Sequence, residues 1–406
     1  MAKILLVKLP EPRKATQKVC YMPPIGLWSI EYNALLGGHN ALTIDCHMAG
    51  GLEPLKKELR KEWDIIGLSA QFSIQHDFYI EAARICSENS DAKVIAGGFH
   101  ASAVPPPTGV SKVIRGDGES AFVEGLGFED IEYPYPRADM LRPYWNRGSP
   151  HDLQSKTFHW MPVEFSRGCK RYCGYCGVNR FWGDTRYFAR DKITEYLGEL
   201  VAEGFEEIFI EDDNCANDPG MFRWLISELG KHGVWWSTPN GVYAKGLRDN
   251  LKDLAPSRCW RVSLPFETGT ESTARLMGLG DKWMSRPDAF ELVYKLKAEG
   301  IQTCGFFIIG YPGETLDDMQ RTLDYANSLP LDQRNISIAT PYPGTYLYDI
   351  CKRRGYLGSD GAELYRELLY THGMIRTPDF EPAQVEALKW ADRESAIARR
   401  KAINAI

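Results

Sequence analysis

The sequence predicts an α/β protein: an N-terminal Rossmann-like, doubly wound domain, a partial (β/α)6 barrel, and a short helical C-terminal segment. Three observations carry this. Short β-type runs alternate with helical ones through the first 125 residues, the pattern of a parallel sheet with crossover helices. The alternation resumes from Pro162 with longer helices. At that point Val163-Glu-Phe-Ser-Arg-Gly-Cys-Lys-Arg-Tyr-Cys-Gly-Tyr-Cys176 sets three cysteines in a C-x-x-x-C-x-x-C spacing, directly after a short apolar strand.

In the first domain, residues 1–125, Lys3–Lys8 reads as a strand, Gly26–Leu36 as a helix and Ala41–His47 as the next strand. Glu53–Glu62 is an amphipathic helix, Asp64–Ala70 a strand, and His76–Ser90 a helix. Lys93–Gly98 and Val113–Arg115 complete the strands. Ligands of such a sheet lie beyond the carboxyl ends of its strands. Those ends are small and polar: Ser69, Ala70 and Gln71, then Gly97, Gly98 and Phe99, then Gly116 and Glu119. Glycines there either admit a bulky ligand or merely end strands. No G-x-G-x-x-G follows the first strand, so dinucleotide binding has little support. Residues 126–160 carry Pro134, Pro136, Pro143 and Pro150, which interrupt any helix and mark a linker.

In the barrel, residues 161–345, the expected strands are Val163–Ser166, Glu207–Glu211, Trp235–Asn240, Arg261–Phe266, Thr303–Ile309 and Asn335–Thr340. Helices are expected at Ile193–Glu203, Pro219–His232, Pro287–Gly300 and Thr315–Ser328. An active site then belongs at the C-terminal ends of these strands. Residues 346–406 read as helices at Tyr346–Tyr356, Gly361–Tyr370 and Ala383–Arg399, with a turn at Thr377–Pro382.

Composition narrows the function classes. The chain has 406 residues, 44% hydrophobic and 25% charged, as in ordinary globular proteins. A net charge of −6 gives no electrostatic case for nucleic acid or an anionic membrane. No run reaches the roughly 18 apolar residues of a membrane span. The N-terminus is too charged for a signal peptide, so a cytoplasmic location is expected. Of ten cysteines, seven are scattered singly, which favours a reduced protein with one metal site over a disulfide framework. Soft thiolates at Cys169, Cys173 and Cys176 suit iron–sulfur or zinc ligation. Zinc wants four ligands, and no fourth Cys or His lies at zinc-like spacing.

Two resemblances extend this reading. Met22-Pro-Pro-Ile-Gly-Leu27, Asp64-Ile-Ile-Gly-Leu-Ser69, Ala96-Gly-Gly-Phe-His100 and Arg115-Gly-Asp-Gly-Glu119 resemble the cobalamin-binding domain that precedes many radical S-adenosylmethionine enzymes. Cobalamin contacts are then implied at Leu27, Ser69, Ala70, Gln71, Gly97, Gly98, Phe99, Gly116 and Glu119. Asp45-Cys-His-Met-Ala-Gly50 spells D-x-H-x-x-G, but it follows the second strand and not the first, so His47 is read as unrelated to cobalt. The cysteine motif is similar to that of the radical S-adenosylmethionine superfamily. Ile208-Phe-Ile-Glu-Asp-Asp-Asn214, Pro239-Asn-Gly-Val242, Glu267-Thr-Gly-Thr270, Phe306-Phe-Ile-Ile-Gly-Tyr-Pro-Gly-Glu-Thr315 and Pro341-Tyr-Pro-Gly-Thr345 agree with its cobalamin-linked branch.

The resemblance implies a 4Fe–4S cluster on Cys169, Cys173 and Cys176, with the open iron chelating S-adenosylmethionine. Contacts to that molecule are implied at Tyr175, Asp212, Asp213, Asn214, Asn240, Glu267, Gly310 and Pro312; Tyr175 alternatively packs as an ordinary aromatic. It further implies anaerobic work, a one-electron reductant, and methyl transfer to an unactivated carbon. A cyclase or rearrangement enzyme using the same cofactors, and a non-catalytic corrinoid or metal carrier, are the alternatives. The compact layout is similar to enzymes that C-methylate a glutamine of methyl-coenzyme M reductase, which implies a peptide or protein substrate, with a small molecule as the alternative. Phe181, Trp182, Trp235, Trp236 and Trp260 are read as core or cavity lining.

Overall fold

The structure is a computed structural model that describes residues 1–12, 23–119, 135–140, 155–157 and 159–403. The linker expected over 126–160 falls largely outside them, as do Met22 and Cys20.

The first sheet has five strands: β1 (Lys3–Lys8), β2 (Asn40–Asp45), β3 (Ile65–Ser69), β4 (Lys93–Gly97) and β5 (Lys112–Val113), in the order β2-β1-β3-β4-β5. All of its pairings are parallel. β1 forms because Ile4, Leu5, Leu6 and Val7 are buried on both faces, the near-continuous apolar run of a covered parallel strand. Each such side chain contributes roughly 1.5–3 kcal/mol of transfer free energy. The order reverses between β1 and β3, the switch point beside which open α/β sheets bind ligands. Register levels the strand ends there: Lys8 pairs with Asp45 and Ser69, and Ser69 with Gly97.

Several elements of this region end earlier than the sequence suggests, the last strand at Val113 and not Arg115 among them. The second strand stops at Asp45, because its carboxylate accepts the backbone N–H of Met48 at 3.0 Å and caps a helical turn, Cys46–Ala49. His47 therefore lies on that turn, buried, and its Nδ1 accepts the N–H of Glu11 at 3.2 Å. The helix starting at Glu53 ends at Glu58 and not Glu62.

The second sheet has six strands in the order β13-β12-β11-β10-β9-β6: β6 (Trp160–Val163), β9 (Glu207–Ile210), β10 (Trp235–Gly241), β11 (Cys259–Glu267), β12 (Gln302–Ile309) and β13 (Gln333–Ile338). Pairs β6–β9, β11–β12 and β12–β13 are parallel. Helices fill the connections at Arg190–Ala202, Pro219–His232, Arg286–Ala298 and Leu316–Ser328. This is the α/β architecture expected, a Rossmann-like sheet followed by the six strands of a partial barrel.

One correction concerns the entry to the cysteines. The first barrel strand ends at Val163, not Ser166. Phe165 donates its N–H to Asp212 at 2.7 Å and Ser166 its hydroxyl to the same carboxylate, which turns the chain out of the sheet. Ser166–Arg167 (β7) then pairs antiparallel with Arg186–Tyr187 (β8), so a small ribbon brackets the cysteine motif in sequence.

By contacts the chain divides into two compact units. One comprises residues 1–168, 180–212 and 228–236; the other comprises 169–179, 213–227 and 237–406. The second includes the C-terminal segment, whose helices run Tyr346–Arg354, Gly361–Glu367 and Pro382–Ile403. Leu347, Cys351, Ile375, Phe380 and Val385 share one buried cluster with Cys173, Met277, Ile309 and Tyr311. The C-terminal residues are thus the backing of the cysteine loop. No helix among the described residues is long and apolar enough to cross a membrane.

Candidate functional site

Cys169, Cys173 and Cys176 lie on one irregular loop, held from several sides. The Gly174 N–H donates to Met277 O at 2.8 Å, and Gly174 O accepts from Leu347 N at 2.7 Å. Asn217 Oδ1 accepts the N–H of Lys170 at 3.3 Å, and Asn179 Nδ2 donates to Cys169 O. Arg171 pairs with Asp281 and lies over the Tyr243 ring at 4.0 Å, while Tyr243 donates its hydroxyl to Asp281 at 2.8 Å.

Two polar N–H groups aim at the thiol sulfurs. Asn214 Nδ2 approaches Cys169 Sγ at 3.8 Å, and Lys282 Nζ approaches Cys173 Sγ at 3.9 Å. Burial pushes the Cys176 thiol up to about 12, so loading a metal must displace protons. Among the described residues no three His, Cys, Asp or Glu side chains converge as ligands of a single ion. Hydrogen bonds to the sulfurs are what tunes iron–sulfur clusters. The donor set fits three irons with one left open.

Lys282 carried no signal in the sequence, where a lysine in a glycine-rich loop reads as solvated. It ends a 3-10 turn, Gly280–Lys282, that packs on the cysteine loop: a Cβ on Gly278 would stand 3.0 Å from Tyr172 O. Its ammonium donates to Glu267 Oε1 at 2.7 Å and to the Tyr175 hydroxyl at 3.0 Å. Glu267 is buried at the end of β11, past a register shift, with φ of +66°. A non-glycine residue holds that conformation only where its surroundings over-determine it.

The other expected contacts are placed as follows. Asp212 is buried, and its carboxylate is engaged by Phe165 and Ser166. Asn214 braces the loop, with Oδ1 accepting from Ala216 N and Tyr243 N at 3.3 and 3.1 Å. Asp213 is half-buried between them, and Asn240 is exposed near the end of β10. Gly310 (φ +83°) and buried Pro312 form the turn after β12. Buried Glu314 closes that turn by accepting Tyr311 N at 2.7 Å. Burial pushes the Glu314 carboxyl up to about 8 against its two backbone hydrogen bonds. A carboxyl raised in the fold favours folding below its ordinary value of 4.5 and withdraws that support as pH climbs towards 8. Glu314→Gln is therefore expected to flatten the fall of thermal midpoint between pH 5 and 8, as read by circular dichroism.

At the ends of the first sheet, Gln71 links neighbouring loops, its Nε2 donating to Ser69 Oγ at 3.4 Å and its Oε1 accepting Phe99 N at 3.3 Å. Gly97 and Ser69 stand side by side. Gly98 has an internal reason to be glycine: a Cβ would stand 2.6 Å from Ala70 O. Leu27 packs on the core under β1, and Phe99 stacks on Phe181 at 4.5 Å. Gly116 has φ of +82°, and Glu119 is buried in an ion pair with Arg167. Trp236 and Trp260 are core residues, and Trp235 lies beneath Lys156.

Residues 163–326 match the family model described as the radical SAM superfamily. The chain carries a radical SAM domain. Its relatives include the cytidylyl-2-hydroxyethylphosphonate methyltransferase of Streptomyces wedmorensis, 31% identical over 222 residues, 52% of this chain and 41% of that one. The chain thus spans about two fifths of that relative's length. An uncharacterized methyltransferase of Pyrococcus horikoshii is 26% identical over 394 residues, 86% of this chain and 82% of its own. Among solved structures, the radical S-adenosylmethionine methyltransferase TsrM of Kitasatospora setae, with cobalamin and a [4Fe-4S] cluster bound, superposes with a TM-score of 0.67 at 14% identity, covering 95% of this chain and 84% of that one. The cobalamin-dependent radical enzyme OxsB gives 0.61 at 14% identity, over 91% of this chain and 56% of its own. These likenesses show a shared fold.

Proposed function

We propose that this protein is a cobalamin-dependent radical S-adenosylmethionine methyltransferase acting on an unactivated carbon. The observation that carries the reading is the cysteine loop, with two N–H groups aimed at its sulfurs and a radical SAM domain around it. Relatives named as methyltransferases and the shared fold with TsrM and OxsB support it. When bound, the cluster, S-adenosylmethionine and cobalamin together supply radical generation and the methyl group. In this reading Cys169, Cys173 and Cys176 hold the cluster, and the turn 310–314, Tyr175 and Asp213 are the contacts proposed for S-adenosylmethionine. Ser69, Gln71, Gly97 and Gly116 lie at or just past the carboxyl ends of β3, β4 and β5, where a corrinoid would lie.

The substrate is placed in the peptide or protein class, with a glutamine of methyl-coenzyme M reductase as the specific candidate on the likeness of layout. A small-molecule substrate is the second reading, favoured by the Streptomyces relative named for a cytidylyl phosphonate and by TsrM solved with tryptophan. Turnover needs a one-electron reductant. Anaerobic incubation of the reconstituted protein should give 5′-deoxyadenosine and S-adenosylhomocysteine in equal amounts per methylated product. 5′-Deoxyadenosine alone would move the protein to the rearrangement class, and intact S-adenosylmethionine would make it a carrier. Mass spectrometry showing no methyl on glutamine peptides removes the specific candidate.

A further inference from the structure

The Lys282 ammonium has three N–H donors, and the structure supplies three acceptors: Glu267 Oε1 at 2.7 Å, Tyr175 Oη at 3.0 Å and Cys173 Sγ at 3.9 Å. The side chains of Lys282 and Glu267 are only 14% and 6% exposed, so solvent screens their charges weakly. The turn that presents the lysine is pinned twice more, by Asp281 with Arg171 and by Gly278 against Tyr172. Glu267 reaches its partner from a left-handed backbone conformation. This is much construction for one surface-loop lysine. An ion pair built only for stability needs neither the sulfur contact nor the strained backbone.

We propose that Lys282 and Glu267 form a fixed, oriented charge pair that sets the reduction potential of the cluster held by Cys169, Cys173 and Cys176. The inference rests on the cofactor reading above. Reduction adds one electron to the cluster; the cation lies 3.9 Å from the Cys173 sulfur, and the carboxylate is bonded to the cation. The pair stabilises the reduced form through Lys282, and Glu267 moderates the effect. The two residues therefore act with opposite signs, which a merely structural pair does not.

The test is a potentiometric titration of the full-length reconstituted chain, followed by electron paramagnetic resonance, with no S-adenosylmethionine present. Lys282→Met should lower the midpoint, making the cluster at least tenfold less reduced at a fixed potential, or about 59 mV for a one-electron couple. Glu267→Gln should raise it, and Lys282→Arg should stay closer to the parent than either. Should Lys282→Met lose its cluster, the upward shift of Glu267→Gln decides the question. Coincident midpoints, or both variants moving the same way, overturn the proposal. Unchanged midpoints with weakened S-adenosylmethionine binding would reassign Lys282 to that ligand. A parent protein that binds no four-iron cluster would refute the cofactor reading, an outcome distinct from all of these.

Discussion

Gly174→Ala is expected to strip most of the iron from the reconstituted protein and to destabilise it by roughly 1–3 kcal/mol, the cost of overpacking a filled core. A Cβ at 174 would stand 2.4 Å from the Tyr311 hydroxyl oxygen. Neither side can yield. Gly174 is fixed at both backbone groups, by Met277 O and Leu347 N, and Tyr311 is 2% exposed within the cluster that backs the loop. The offending atom is also dispensable, since the Tyr311 hydroxyl is buried without a hydrogen-bond partner. Tyr311→Phe alone should therefore be neutral or slightly stabilising. In that background the nearest ring atom lies 3.5 Å from the new Cβ, an ordinary contact, and Gly174→Ala should recover iron content and stability. Iron analysis and urea unfolding of the four proteins form a double-mutant cycle. Equal losses with and without the tyrosine hydroxyl would show that the clash is not the cause.

Much of this architecture was legible because apolar runs and their spacing are local signals. β1, β9 and the helix Pro219–His232 could be read almost to the residue from periodicity alone. The three cysteines announced a soft metal site because thiolates so close have few other uses. What the sequence concealed was set by partners distant in the chain. β6 stops early because Asp212, nearly fifty positions on, takes Phe165 N and Ser166 Oγ. Asp45 ends β2 by capping a turn, a choice the alternating pattern of that stretch does not reveal. Lys282 meets Cys173 from 109 positions away and Glu267 from 15, so no window of sequence joins them. Asn214 likewise looked like one of a polar run at a strand end, yet its amide works on the cysteine loop.

Arg167→Met should cost about 3–5 kcal/mol at neutral pH, the range for removing one partner of a buried ion pair. Arg167 is buried two residues before the first cysteine, and each nitrogen of its guanidinium has a carboxylate. Nη1 meets Asp117 at 2.7 Å and Glu119 at 3.0 Å; Nη2 meets Glu119 at 2.9 Å, and Nε meets Glu164 at 2.9 Å. Arg186 adds a second cation, 2.6 Å from Asp117. Burial pushes Glu119 up, but the Arg167 charge and hydrogen bonds outweigh it and hold the carboxyl below its ordinary value. Glu164 is pushed up by burial, and neighbouring Glu119 and Asp117 add to it beyond what Arg167 offsets. A depressed carboxyl stabilises the fold above its ordinary range and loses that support as pH falls; a raised one does the reverse. Without the guanidinium both become raised carboxyls, so the variant should regain stability on acidification over a range in which the parent keeps its Glu119 contribution, which is lost only below the ordinary value of 4.5. The deficit between parent and Arg167→Met, read from urea midpoints, should then shrink from pH 8 to pH 5. Arg167 also lies over the rings of Trp182 and Phe188, at 5.1 and 5.4 Å. A deficit that does not change with pH would assign the loss to that packing and not to charge. Glu119→Gln offers the converse control: in the Arg167→Met background it should recover part of the stability, because the carboxylate left without its partner is then removed.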